Sequence, residues 1–162
     1  MNLSVLGINF RTAPVELRER ASFTAADVPG ALERLCAEFP GAEAVLVSTC
    51  NRTELYTAGI DVEARKSALI HTLLKGTEPP KVADADKLFY TKTDGTVAEH
   101  LLAVVAGLDS MVVGETEILG QVKQAYQLAE QSQTSGKTLA PLFQNAFRIA
   151  KRVHTETDLC RG

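Results

Sequence analysis

The sequence contains no apolar run approaching the roughly 18–20 residues that a membrane-spanning helix needs. It opens MNLSVLGINF, with no basic stretch, and Arg11 follows too soon for a signal peptide. A soluble, cytoplasmic protein without membrane contact is the expectation. Charge of one sign is not in excess either: 17 Lys and Arg against 20 Asp and Glu give a formal net charge of −3. A strongly basic nucleic-acid grip is therefore not visible in the composition. Cysteine is scarce. Cys36, Cys50 and Cys160 show no CxxC spacing, and an odd count without an export signal argues for reduced thiols rather than a disulfide frame. Cysteine and histidine do not recur at zinc spacings, so no metal site is expected. The chain has no G-x-G-x-x-G, so no dinucleotide site is expected within it. Internal repeats and low-complexity segments are also lacking.

What is present suits one globular domain. The 162 residues are 45% hydrophobic and 23% charged, enough to bury a real core. Leu3–Asn9 reads as a strand, rich in branched and apolar residues. A polar loop and a short helix around Val15–Arg20 follow. Val28, Leu32, Leu35, Cys36 and Phe39 share one helix face, with Asp27 as candidate cap and Pro29 in the first turn. Glu43–Ser48 and Arg52–Thr57 read as strands, joined through Thr49, Cys50 and Asn51 by a tight hairpin. A helix over Val62–Lys75, with Asp61 as cap, leads through a Gly/Pro-bearing loop (Gly76–Lys81) to a strand over Leu88–Thr93. The order is βαββαβ, the split pattern of a ferredoxin-like antiparallel sheet with helices on one face, an α+β fold. The remainder reads as helical. Asp94 is a candidate cap for a helix carrying Val97, His100, Leu101 and Val104. A second helix carries Ile118, Val122, Ala125, Tyr126 and Ala129. After the SQTSG turn a third starts near Pro141. The sheet part takes up about residues 1–105 and the helical part about 106–162. The latter ends without a stop signal, which we read as a boundary inside a longer protein leading to a linker.

Three features bear on chemistry. A cysteine ordinarily behaves as a small buried hydrophobe, and Cys36 fits that role on its helix stripe. Cys50 does not fit it, because it lies in the polar hairpin S-T-C-N-R-T-E between apolar strands, with the cation of Arg52 two residues on. Cys160, near the chain end, reads as incidental. His100 sits at an apolar helix face. It reads either as a core-edge histidine with one nitrogen satisfied, or as a general acid or leaving-group stabiliser near Cys50. His71 and His154 read as surface positions. Gly107–Glu115 is either a plain helix connection or a substrate-binding loop. Glu115, Glu117 and Gln121 open the next helix, where acidic residues also suit the helix dipole.

Three ordered motifs spanning nearly the whole chain resemble those of glutamyl-tRNA reductases. The first is Leu6-Gly7-Ile8-Asn9 with Thr12-Ala13-Pro14-Val15-Glu16-Leu17-Arg18-Glu19. The second is Ser48-Thr49-Cys50-Asn51-Arg52-Thr53-Glu54-Leu55-Tyr56. The third is Ala106-Gly107-Leu108-Asp109-Ser110-Met111-Val112-Val113-Gly114-Glu115 with Ile118-Leu119-Gly120-Gln121-Val122-Lys123-Gln124-Ala125-Tyr126. The resemblance implies the N-terminal catalytic domain of that family, with a ferredoxin-like sheet. It implies Cys50 as the nucleophile that attacks the aminoacyl ester of glutamyl-tRNA, leaving a thioester. Reduction by NADPH, held by a following domain absent here, would give glutamate-1-semialdehyde for tetrapyrrole (haem and porphyrin) biosynthesis. It further implies a glutamate-1-semialdehyde aminomutase as possible partner and a homodimer formed through a C-terminal domain, also absent here.

Carried over residue by residue, Thr49, Asn51 and Arg52 line the glutamate pocket, Arg52 being suited to fork onto a substrate carboxylate. Ser110, Glu115, Thr116, Glu117 and Gln121 match further pocket positions, and His100 matches a histidine that positions or protonates the ester region. The family usually has Glu-Pro-Gln where this chain has Glu115-Thr116-Glu117. The exchange loses a preset φ and adds a carboxylate beside a site for an anionic glutamyl group. A non-catalytic ferredoxin-like regulatory or RNA-binding module is the competing reading, because the fold by itself fixes no function. A stand-alone thiol hydrolase is a third.

Overall fold

The computed structural model describes residues 2–156, so Cys160 lies outside the described residues. In chain order the elements are β1 (Leu3–Asn9), α1 (Val15–Arg20), α2 (Val28–Glu38), β2 (Glu43–Ser48), β3 (Arg52–Ala58), α3 (Val62–Leu73), α4 (Val82–Leu88), β4 (Tyr90–Thr93), α5 (Gly95–Val105), α6 (Glu117–Gln131) and α7 (Leu139–Glu156). The strands form one sheet in the order β2-β3-β1-β4, and every neighbouring pair is antiparallel. The fold is thus mixed α and β around a four-stranded antiparallel sheet.

All seven residues of β3 are buried, so both faces of the sheet are covered. Strand geometry sends alternate side chains to opposite faces. The Thr53 hydroxyl donates to the carbonyl of Ala21, just beyond α1, at 2.9 Å. Its neighbour Glu54 points the other way, to His100 on α5. Tyr56 shares the Glu54 face and meets Phe143 of α7 edge-on at 5.1 Å, while Tyr126 of α6 stacks on Phe143 at 5.6 Å. The expectation of helices on one face therefore describes half of the arrangement: the C-terminal helices cover the other half. These aromatic rings bury large apolar areas, and Tyr56 and Phe143 are fully enclosed.

Two devices join the halves. The outer edge of β2 pairs with Thr134, whose carbonyl accepts from Ala44 N at 2.8 Å and whose hydroxyl donates to Ala44 O at 2.9 Å. This blunts an edge that would otherwise invite strand addition. The buried carboxylate of Glu43 accepts from the backbone N–H groups of Gly136, Thr138 and Leu139, satisfying the donors at the start of α7 from a different element.

Several local expectations shift. α7 starts at Leu139, two residues before Pro141. β4 is shorter than expected, because Leu88 ends α4 and Phe89 is its C-cap. α4 itself was not anticipated: it buries none of its residues, so it leaves no apolar period to read. Asp61 caps α3 as expected, accepting from Ala64 N at 3.2 Å. Asp27 and Asp94 occupy N-cap positions without a side-chain cap bond. Asp27 instead receives the Thr24 hydroxyl, and Asp94 adopts a left-handed φ of 53°.

Candidate active site

The β2–β3 hairpin is closed by Thr49 N donating to Arg52 O at 2.8 Å. The Thr49 hydroxyl turns inward and accepts from Asn51 N and Arg52 N, both at 3.2 Å. Cys50 is thereby left at the tip as an exposed, free thiol. It lines a pocket together with Thr49, Asn51, Arg52, Ser110, Glu115, Glu117 and Gln121, so eight of the ten site residues expected from sequence converge there. Phe10, Met111 and Ile118 complete the lining. His100 and Thr116 are not part of the wall. Ser110, Met111 and Glu115 come from the α5–α6 loop, whose start and finish are tied by Gly114 N donating to Gly107 O at 3.0 Å. Gly107 adopts φ +79°, and a Cβ there would fall 2.4 Å from the Glu115 carbonyl oxygen, so the loop needs glycine at this point.

Beneath the hairpin lies a buried polar cluster. Arg52 and Glu54 alternate along β3 onto the same face, with side chains 2% and 0% exposed. Arg52 Nη1 donates to Glu54 Oε2 at 3.4 Å. Its Nη2 donates to the Asp109 carbonyl and, at 2.9 Å, to Asp109 Oδ2. Asp109 Oδ1 accepts from Arg11 Nη1 at 2.5 Å. Glu54 also accepts from the hydroxyls of Tyr56 (2.9 Å) and Tyr90, and pairs with His100 Nε2. His100 is thus turned toward Glu54, with the Tyr90 ring edge-on to it at 5.6 Å. Gly7 pairs across from Glu54 in β1, and a Cβ there would come within 2.9 Å of Glu54 Cγ and 3.0 Å of the Tyr90 hydroxyl. Glycine in the first motif therefore makes room for this cluster.

The charges are mutually compensated. Burial alone would push the Glu54 carboxyl up, but hydrogen bonding and charge from His100, the Arg52 charge and the Tyr90 hydroxyl bring it down to about 2. Burial works against the charged form of Arg52, yet Glu54, Tyr90 and Asp109 together raise it, so it stays a cation. Asp109 is lowered on balance: burial opposes its ionisation, and the hydrogen bonds and charges of Arg52 and Arg11 outweigh it. Burial first, and then the Glu54 carboxylate, raise Tyr56 and Tyr90 well above the usual phenol range. Both therefore stay neutral and donate.

Sequence reasoning did not single out Glu54, Asp109, Tyr90 or Arg11 as members of this cluster. Glu54 was within reach of the period-two rule, two residues from Arg52 in a strand. The partnership with Asp109 and Arg11 joins segments 57 and 98 residues apart and carries no local signal. Cys36 is quiet: half-buried, it donates weakly to Ala42 O at 3.5 Å, and burial followed by the Glu43 charge pushes its thiol up. His154, expected at the surface, is half-buried with Nε2 3.2 Å from Ala106 O, whereas His71 is exposed. Among the described residues no group of three or more His, Cys, Asp or Glu side chains could hold a metal ion. No helix among them is long and apolar enough to cross a membrane.

A family model described as "Glutamyl-tRNAGlu reductase, N-terminal domain" matches residues 6–157. A glutamyl-tRNA reductase of Marinobacter nauticus is 47% identical over 159 residues, covering 98% of this chain and 36% of that protein. One of Salinispora arenicola is 45% identical over 162 residues, covering 100% of this chain and 35% of its own length. The solved glutamyl-tRNA reductase of Methanopyrus kandleri superposes with a TM-score of 0.76 at 33% identity, covering 96% of this chain and 35% of that one. This chain thus spans about a third of the length of the curated relatives it matches.

Proposed function

Because the chain belongs to the glutamyl-tRNA reductase N-terminal domain family, we propose that it performs the acyl-transfer half of a glutamyl-tRNA reductase reaction, with Cys50 as the nucleophile. The observation that carries this reading is the exposed Cys50 thiol at the hairpin tip, in a pocket that gathers eight of the expected residues. The Cys50 sulfur attacks the ester carbonyl of glutamyl-tRNA. The carbon–oxygen bond to the terminal ribose breaks, the ribose hydroxyl leaves with a proton, and a glutamyl thioester remains on Cys50. An aminoacyl ester is already activated, so the exchange needs no ATP. Thr49, Asn51, Ser110 and Gln121 offer hydrogen bonds to the glutamyl group, and Arg52 supplies the cation for its side-chain carboxylate. Glu115 and Glu117 face the same pocket, where carboxylates suit the α-ammonium group, and Thr116 shapes the loop between them. His100 is a positioning residue in this reading, acting on Arg52 through Glu54.

NADPH would supply the hydride that converts the thioester to glutamate-1-semialdehyde, on the route to haem and other tetrapyrroles. Among the described residues the sheet is antiparallel and lacks the parallel strand, glycine-rich turn and helix of a dinucleotide cradle, so in this reading the cofactor belongs to a following domain. A cytoplasmic enzyme of three parts fits the reading: this catalytic domain, an NADPH-binding domain and a dimerisation domain. A semialdehyde-consuming aminomutase is the natural partner. The β2-β3-β1-β4 order supports a ferredoxin-like description of about residues 1–105, with about 106–162 as a helical part. The competing module that binds RNA on an open sheet has little support, because Tyr56 and Phe89 are 0% and 1% exposed.

The test is incubation with tRNA carrying labelled glutamate and no reductant, followed by acid quench and peptide mass spectrometry. A glutamyl adduct on Cys50, absent from Cys50→Ser, is the expected result. Neither adduct nor label release, with tRNA and with a small activated glutamyl ester alike, would refute the assignment.

A further inference from the structure

The Nη2 donors with which Arg52 could help to fork onto a substrate carboxylate are already taken within the chain. Nη1 is held by Glu54, and Nη2 donates to both the carbonyl and the side-chain carboxylate of Asp109. The Arg52 side chain is 2% exposed and still lines the pocket, so a ligand carboxylate has to reach it in place. Asp109 differs from Glu54 in two respects. Its side chain is 24% exposed at the base of the loop that supplies Ser110 to the pocket. It also has a second cation waiting, because Oδ1 is already bonded to Arg11, whose side chain is half exposed. We propose that Asp109 is a built-in placeholder for the substrate's side-chain carboxylate. Asp109 Oδ2 occupies the Arg52 N–H that the glutamyl carboxylate takes on binding. The displaced Asp109 carboxylate then stays charged on Arg11.

The physical reason is charge balance. A buried guanidinium with one cationic N–H unpaired would be costly, and a carboxylate from the same chain removes that cost. Exchanging one carboxylate for another keeps Arg52 neutralised throughout. The backbone bond from Arg52 Nη2 to the Asp109 carbonyl is untouched by the exchange, so the loop stays anchored. Asp109 therefore weakens carboxylate binding in return for a neutralised Arg52, and Arg11 sets how readily it yields. The opposite assignment, Asp109 as a direct partner for the α-ammonium group, predicts the opposite effect of removing its charge.

This inference rests on the carboxylate-binding reading of Arg52, and its test separates the two. The probe is isoglutamine, which keeps the side-chain carboxylate and has no ester for Cys50 to attack, with glutaminamide, which has the same α-ammonium group but an uncharged side chain, as the control. The readout is the concentration of each that half-protects Cys50 from iodoacetamide in the full chain. In Asp109→Asn, isoglutamine should half-protect at about fivefold lower concentration, because a charged competitor for Arg52 becomes a neutral one. In Arg11→Ala the shift should run the other way, because Asp109 loses its alternative partner. Glutaminamide should move less in both. Higher half-protection concentrations in Asp109→Asn, or equal values in all three proteins, would overturn the placeholder alone. An absence of protection by isoglutamine in every protein would overturn both the placeholder and the carboxylate role of Arg52.

Discussion

A carboxylate held at about 2 in the folded chain and at its ordinary 4.5 when unfolded makes stability depend on pH with a fixed sign. Between these values the unfolded chain binds the extra proton, so the contribution of Glu54 is fully present above pH 4.5 and disappears as the pH falls toward 2. The shift corresponds to something on the order of 3 kcal/mol. Asp109 is shifted in the same direction and adds to the acid sensitivity. Denaturant midpoints measured from pH 7 down to pH 3 should fall steeply for the wild type and more shallowly for Glu54→Gln; parallel curves would contradict this account. At neutral pH Glu54→Gln should itself lose about 3 kcal/mol, because it leaves Arg52 with a missing buried counter-charge. Gly7→Ala should cost about 1–3 kcal/mol by overpacking against Glu54 and Tyr90. Gly95→Ala, where a Cβ meets nothing within 4 Å, is the matched control in a thermal-unfolding comparison and should not destabilise.

At the scale of elements, the start of α7 depends on a residue in β2. Glu43 satisfies three N–H groups there, and a Cβ at Gly136 would lie 2.9 Å from Glu43 Cδ. Glu43→Ala should destabilise the chain by about 2 kcal/mol, since a lost cap takes the acceptor from the buried Leu139 N–H. Hydrogen exchange should quicken first at the N–H groups of Gly136, Thr138 and Leu139; unchanged protection there would show that other groups satisfy them. This tertiary cap also explains why α7 starts two residues before its local signal. Pro141 is a local start signal, but the helix is nucleated two residues earlier by a side chain 96 residues away in sequence. Asp61 shows the reverse case: its cap is local, and the sequence located it.

At the scale of the whole molecule, the sheet part is not independent of the helices that follow it. Tyr56, Val45 and Glu54 are buried on the face covered by α5–α7, and β3 is enclosed on both sides. A chain ending at Val105 would expose Tyr56 and leave Glu43 without its α7 partners. Its far-ultraviolet signal should show no cooperative thermal transition, while the full chain should melt sharply. A cooperative melt of the short chain would mean that the two parts fold separately.

The sequence by itself determined the order of the four strands, the hairpin carrying Cys50 and the motif positions, because period, turn chemistry and caps act over a few residues; α4, which buries none of its residues, left no such signal. Tight turns at Thr49–Asn51 and the glycine at 107 are likewise local, and most of the pocket wall follows from the two loops that bear the motifs. Only the tertiary structure decided that Arg52 is shared between Glu54 and Asp109, that His100 turns to Glu54 while remaining outside the pocket wall, and that a strand residue caps the last helix. These depend on where distant side chains meet in a buried space. There, desolvation makes partners obligatory, and no local pattern records which partner is found.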